Sequence, residues 1–540
     1  MTIGQRFGQR EPLTRRLHNL VRSYPKGLGV LKEFIQNADD AEADEIVFVI
    51  DEQQHDASGL PQPMRWLHQT PALLVYNNKP FSDSDIEGIQ NIGESGKSDS
   101  VGKTGRFGLG FNACYNVTDV PSFFTRGKLH FFDPHYRTVP DASVDSPGRS
   151  FEVDELIGER WPLLDAFSRF IGNGDGFAGT VYRLPFRTTE QASTSRIKGD
   201  SYTVADALNA VRELQEMGSA MLLFLKHVQR LKIEQWSPDG SAVTLLTMQA
   251  TNPQEIASSK SKVNDLLSSP DPERILTHLT EEGDAFSSCR QEYSVEVNGE
   301  RRVETWWVVD GFFTDADHAV INACRKMIEN EEKALPYAGA AWPLDSDRHP
   351  EGHLFCLLPV PMQTSLPAQI NGYFDLDDSR QNMFLDRSAH GTAGLRVEWN
   401  MALLKTSVPQ AYVRLLEDLR SDLGTDNMDS YYEAFPKVVD SGASWEGWLT
   451  SAFYARASLA PLFRCSGDRT WYVLSATRSL PEGLLRVGDE LIAEGFLSIP
   501  APALPGHVQQ GFRLNDMDVP VLTPYVTAGV EARLFAAMRC

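Results

Sequence analysis

A chain of 540 residues exceeds what one hydrophobic core serves and points to about three or four domains. Its 41% hydrophobic, 10% aromatic and 23% charged residues are an ordinary globular balance, and a formal charge of −22 argues against a broad surface for gripping nucleic-acid phosphates. No apolar run reaches the roughly eighteen residues of a membrane span, and Met1–Arg6 lacks the apolar core of a secretory signal, so a cytoplasmic (intracellular) address is expected.

Leu13, Leu17, Leu20, Val21 and Tyr24 have helical spacing over 11–24, and Pro25-Lys26-Gly27 ends that run. A second helix is predicted over about 28–43, followed by a buried strand at 45–50 and another at 73–76, with a turn at Asn77-Asn78-Lys79-Pro80. A Gly/Ser/Lys-rich loop covers about 93–106 and leads into an apolar helix-like stretch, Phe107–Val117. Residues 180–185 read as a late strand of the same sheet, 188–203 as a polar linker, and 205–225 as a helix. Strands are predicted at 228–235, 242–248, 291–297, 302–309 and 353–359, with 250–275 as a mobile insertion and mainly helical structure from about 396. Cys114, Cys289, Cys324, Cys356, Cys465 and Cys540 form no paired spacing, and Pro and Gly between His349 and His353 favour a turn over a metal-binding helix.

Two stretches carry candidate chemistry. On the second helix Glu33, Asn37 and Asp40 are spaced i, i+4, i+7 and share one face, while Leu31, Phe34, Ile35 and Ala38 cover the other. Such a stripe is either a solvated face or a site in which a carboxylate polarises water and an amide oxygen holds Mg²⁺, an ion that keeps most of its waters and substrate phosphates. The second stretch is Gly102-Lys-Thr-Gly105-Arg-Phe-Gly108-Leu-Gly110-Phe111, either a flexible loop or a backbone cradle for phosphate, with Lys97, Lys103 and Arg106 as counter-charges. Gly96-Lys97-Ser98 and Gly102-Lys103-Thr104 are not P-loops: the required earlier glycine is replaced by Asn91 and Lys97. The order Gly105-x-x-Gly108-x-Gly110 is also wrong for a dinucleotide fingerprint.

Glu33-x-x-x-Asn37, Gly105–Phe111 and Gly179-Thr180 resemble, in order and spacing, the motifs of the GHKL ATPases (gyrase, heat-shock chaperone, histidine kinase, MutL). Within that superfamily the chain resembles the sacsin-type proteins, at Phe7–Thr14, Leu31–Ala41, Tyr76-Asn77-Asn78 and Lys103–Phe123, and more loosely at Ile370–Arg380. The resemblance implies an α/β chain. A Bergerat-fold two-layer α/β sandwich at 1–190 (a mixed sheet with helices on one face) would precede a helical linker at 191–225. An α/β middle-like domain at 226–400 and a mainly helical region at 401–540 would follow. It implies ATP and Mg²⁺ as ligands. Glu33 would act on the attacking water, Asn37 would hold the metal, and Arg380 would reach the γ-phosphate. Asp40, Ala41, Asn77, Gly93, Lys97, Lys103, Gly105, Arg106, Phe107, Gly108, Gly110, Phe111 and Thr180 would bind nucleotide.

The implied activity is that of a slow ATPase driving lid closure in a chaperone-like or conformational-switch protein, with a protein client and a homodimer among its partners. Two competing readings are a nucleotide-binding scaffold without turnover and, against the acidic balance, a DNA-transacting clamp. Asn77-Asn78 stands where relatives place an adenine-reading aspartate, and an amide can donate as well as accept.

Overall fold

The structure, a computed structural model, describes residues 11–23, 27–91, 110–159, 161–172, 176–269, 271–345, 352–377, 381–386, 388–423, 428–438, 444–464, 470–477 and 504–514. Its described residues form an α/β architecture divided into two compact units. One comprises residues up to Pro253 together with Glu292–Val303, and the other Gln254–Gln291, Glu304–Asp377 and the chain from Gln381.

The first unit contains, in chain order, α1 (Leu13–Ser23), α2 (Leu28–Asp40), β1 (Glu45–Asp51), α3 (Trp66–Gln69), β2 (Ala72–Asn77) and α4 (Asp83–Gly88). These are followed by β3 (Ser122–Thr125), β4 (Lys128–Phe132), β5 (Gly148–Glu152), α5 (Val153–Gly158), α6 (Ser168–Ile171) and β6 (Thr180–Pro185). It continues with α7 (Thr189–Thr194), α8 (Val204–Met217), β7 (Arg230–Trp236) and β8 (Ala242–Ala250). The strands form one mixed sheet in the order β8-β7-β1-β2-β6-β3-β4-β5. β1 is parallel to β7 on one side and antiparallel to β2 on the other. Ile46 to Ile50 are buried on both faces, which explains why this segment reads as a continuous apolar run rather than an alternating one.

α2 lies on one face of the sheet and packs against α8. Ala207, Ala210, Val211 and Leu214 form the buried stripe of α8. Thr203 and Asp206 close its N-terminus with a reciprocal capping box, and Gly218, at φ 57°, ends it before a short 3-10 turn, so the predicted helix to 225 stops early. The predicted linker at 188–203 contains α7, nucleated by a Thr188–Gln191 box of the same kind. The predicted helix at 107–117 is, over its described part, a 3-10 turn at Gly110–Asn116.

The opposite face of the sheet is covered by short helices from 62–69 and 153–171, whose Met64, Leu67, Leu163 and Phe167 pack on Phe124 and Val181. That layer also encloses charge. Arg183, 2% exposed, donates to Leu67 O and lies 4.0 Å from Asp51 Oδ2, while His55 Nε2 is 2.8 Å from the same carboxylate oxygen. Burial pulls the Arg183 guanidinium down to about 10.

In the second unit, Tyr337–Pro343 lies between the 304–312 strand and Gln369–Gly372, and Gly352–Cys356 pairs parallel with the latter. The single strand predicted at 353–359 is a hairpin broken at Leu357, whose φ is 64°. The expected mobile insertion at 250–275 is wrong. Pro253–Leu267 and Pro272–Glu281 are two helices, α9 and α10, because Ile256, Lys260, Val263 and Leu267 fall on one buried face among the serines. From 392 the described residues are mainly helical, around Trp399, Tyr412, Phe453 and Phe512.

His68 in α3 generates a pH prediction. Burial first, and Arg183 second, hold its imidazole down to about 4, while Nδ1 donates to Asp56 O at 2.7 Å. An unfolded His68 takes up a proton below about 6.5, whereas the folded one does so only near 4. Stability contributed at neutral pH is therefore lost as pH falls through that window, by on the order of 3 kcal/mol. Thermal melts from pH 7 to 4.5 should show a falling midpoint for the first unit, and His68→Asn, whose amide nitrogen can replace Nδ1, should flatten that slope.

Candidate functional site

α2 begins after Gly27, at φ 69° and ψ −125°, a backbone conformation that glycine alone adopts readily. Leu31, Phe34, Ile35 and Ala38 are buried as the periodicity demands, with the Phe34 ring edge-on to Tyr182 at 5.0 Å. Glu33 is also buried, at 8% exposure, and Asn37 is half-buried, so the polar stripe turns inward instead of lying in solvent.

Gly110 covers this pair. A Cβ on Gly110 would lie 2.5 Å from Glu33 Oε2 and 3.4 Å from Asn37 Oδ1. The carboxylate and the amide oxygen thus converge on one point, and only a glycine lets the backbone approach it. Phe111 follows, its ring 5.5 Å from Phe132 and 6.0 Å from Tyr182. Tyr182 is fully buried, which keeps its phenol far above the ordinary range and therefore neutral.

The C-terminus of α2 is anchored by a residue that the sequence pattern does not single out. Asp39, 2% exposed, accepts the backbone N–H groups of His227 (2.7 Å), Val228 (3.1 Å) and Lys226 (3.1 Å). Asp40 lies 3.5 Å from Lys226 Nζ, and Ala41 closes the last turn through its N–H to Asn37 O. Asp40 and Ala41 therefore hold the end of the helix. The signal that could have found Asp39 is the Asp39-Asp40 pair itself, since an acid on the apolar face of a helix requires donors.

Asn77 and Thr180 are direct partners across β2 and β6. Asn77 is buried, and its Oδ1 accepts the N–H of Lys79 at 3.1 Å, which shapes the turn. Asn78 exchanges two bonds with Asp44. Thr180 donates to Lys79 O at 2.9 Å and lies 3.2 Å from Thr125 Oγ1, which in turn donates to Gly179 O and accepts from Phe81 N. A Cβ on Gly179 would lie 2.7 Å from Asn77 O, so Gly179-Thr180 is a close crossing that requires its glycine.

Glu33, Asn37, Gly110 and Phe111 are thus brought together, and Asn77 with Thr180 forms a second group on the same sheet. Gly93, Lys97, Lys103, Gly105, Arg106, Phe107, Gly108 and Arg380 lie outside the described residues. A cleft of about 380 Å³ opens beside Phe111, lined also by Leu13, Asn112 and Tyr115, and another of about 760 Å³ lies over Phe123, His130 and Phe132. Among the described residues neither cleft is lined by Glu33 or Asn37, so the converging oxygens, not the larger opening, define the site.

No group of three or more His, Cys, Asp or Glu residues among the described ones is arranged to hold a metal. A single amide oxygen nevertheless fits Mg²⁺, which takes one or two protein oxygens and completes its shell with water and phosphate.

The fold and this recess define an α/β sandwich with a polar helix face enclosed beneath a glycine turn. Residues 10–247 match the family model of the Sacsin domain. The chain is 32% identical to human (Homo sapiens) Sacsin over 428 residues, which is 78% of this chain and 9% of that protein. The chain is sacsin-like. A crystal structure of the N-terminal domain of a DNA repair protein aligns over 56% of this chain and 71% of its own, with 11% identity and a TM-score of 0.25, too low to bear on fold or function.

Gly110→Ala places a methyl group on the Glu33 carboxylate. Either the turn or the acid must move, and the variant should melt lower by roughly 1–3 kcal/mol of stability, the range for overpacking a filled site. Gly88→Ala, which has open space around it, should be nearly neutral in the same thermal melt.

Proposed function

We propose that the first unit binds a nucleoside triphosphate with Mg²⁺ at the Glu33–Asn37 recess, and that ATP is the nucleotide. The observation that carries this reading is the convergence of Glu33 Oε2 and Asn37 Oδ1 beneath Gly110. A carboxylate and a neutral amide oxygen meeting at one point offer oxygen ligands of the kind that a hydrated divalent cation takes. The resemblance to GHKL motifs at Glu33, Asn37 and Thr180 supplies the ligand class.

In this reading Asn37 Oδ1 is the protein ligand for the metal, which when bound neutralises phosphate charge. Glu33 orients water for attack on the terminal phosphoryl group, and its burial in a low-dielectric recess strengthens that interaction. Asn77 and Thr180 border the base. Hydrolysis in this reading is slow. The nucleotide state governs a conformational switch in a chaperone-like protein, with a protein as client and pairing of ATP-binding units as its assembly. These last assignments extend from the resemblance to GHKL motifs, and the chain spans only 9% of its human relative.

A binding scaffold without turnover is the second reading. Two observations favour it: Gly110 sits against the Glu33 carboxylate, and the Asn77 side-chain carbonyl is already engaged by Lys79 N.

Steady-state phosphate release by the purified full chain separates the two. The expected outcome is a slow Mg²⁺-dependent rate that Glu33→Gln lowers by about 100-fold or more, in keeping with loss of a positioned base, while nucleotide affinity stays within a few-fold. A wild-type rate indistinguishable from the Glu33→Gln rate would leave binding alone.

A further inference from the structure

The turn that covers Glu33 is held from its far end by one buried side chain. A 3-10 turn leaves its last carbonyls without partners inside the turn. At Gly110–Asn116 those carbonyls belong to Tyr115 and Asn116, and both are taken by Arg187, which is 0% exposed. Arg187 Nη2 donates to Tyr115 O at 2.7 Å and Nη1 to Asn116 O at 3.3 Å. Nε and Nη2 both donate to Asp119 Oδ1, at 2.8 and 2.6 Å, and Nη1 reaches Asp200 O at 3.4 Å. The backbone N–H of Arg187 also donates to Val117 O at 2.9 Å. Lys198 adds an anchor by donating to Asn116 Oδ1. Arg187 lies two residues beyond the end of β6, the strand that starts at Thr180.

We propose that Arg187 is a positioning residue that fixes the height of the 110–116 turn over Glu33 and Asn37; this rests on the nucleotide-site reading for its functional consequence, though not for its structural one. The guanidinium joins the far end of the turn to β6 and to Asp119, so the Gly110 end is held against Glu33 by a short, rigid connection. The planar fork is essential to this role. Four oxygens lie around it in fixed directions, and a lysine ammonium, with one nitrogen, cannot face all four. Asp119 supplies the charge that makes burial of the guanidinium tolerable, and His135 Nδ1 stands 3.9 Å from the other carboxylate oxygen.

Hydrogen exchange on the nucleotide-free full chain, followed by mass spectrometry, tests the structural half directly. In Arg187→Lys, which keeps the charge, amides of residues 112–118 should exchange about tenfold faster or more, while those of β1 and β6 keep their wild-type protection. Unchanged exchange at 112–118, or a uniform acceleration that includes β1, would overturn the proposal. If Arg187→Lys does not fold, Lys198→Met releases the second anchor of the same turn and undergoes the same measurement: faster exchange confined to 112–118 supports the proposal, and unchanged or uniform exchange overturns it. The functional half is read by titrating a fluorescent ATP analogue with Mg²⁺ into wild-type and variant protein. Arg187→Lys, assayed below its own melting temperature, should bind about tenfold more weakly, and equal affinity would overturn the functional half. If wild-type protein binds no nucleotide, the proposed function fails on its own, and the exchange data still decide whether Arg187 sets the turn.

Discussion

A carboxylate removed from water must be given donors, and α2 carries two that are buried, Glu33 and Asp39. Asp39 meets the requirement with three backbone N–H groups at Lys226–Val228, the segment that leads into β7. That bond set fixes the C-terminal end of α2 against the sheet. With the helix end fixed, its 3.6-residue repeat sets where Asn37 and Glu33 must point, toward the Gly110 turn. The site is thus a consequence of how one helix is fastened at its end, and of one arginine that holds the turn above it.

The same economy explains the sheet. β1 is buried on both sides because β7 and β2 flank it and layers cover both faces. The layer of short helices on the far face buries Asp51, His68 and Arg183, and burial together with Arg183 holds the His68 imidazole in its neutral form. The Sacsin-domain match covers residues 10–247, and the chain corresponds to 9% of the human relative, so the biology of that whole protein does not transfer by similarity alone.

Much of this is legible in the residues. The helix predicted over about 28–43, which ends at Asp40, and strands β1, β2 and β6 follow from periodicity, while the neighbourhood of Glu33, Asn37 and Gly110 follows from the resemblance to GHKL motifs. Asp39 is easily missed because, beside Asp40, it reads as one more solvated acid; its place on the apolar face, four residues after Ile35, calls for donors, but those donors lie nearly 190 residues away in sequence. Arg187 is hidden for the same reason, since Asp119 and Tyr115 are joined to it only by the fold. The helices at 253–281 read as a loop because serine and proline mask the apolar spacing of Ile256, Val263 and Leu267. Strands β3 to β5 escape because they are short and closed by turns at Arg126-Gly127 and 133–147, which break any clear alternation.

The central claim is that Glu33 and Asn37 converge to serve a nucleotide. Calorimetric titration of the full chain with a non-hydrolysable ATP analogue and Mg²⁺, repeated with Asn37→Ala and with the matching GTP analogue, tests it most directly. The account predicts saturable binding of the ATP analogue that is lost in Asn37→Ala, while that variant melts at nearly the wild-type temperature. Heat-silent, unsaturable mixing with both analogues in the wild-type protein, or undiminished binding by Asn37→Ala, would contradict it.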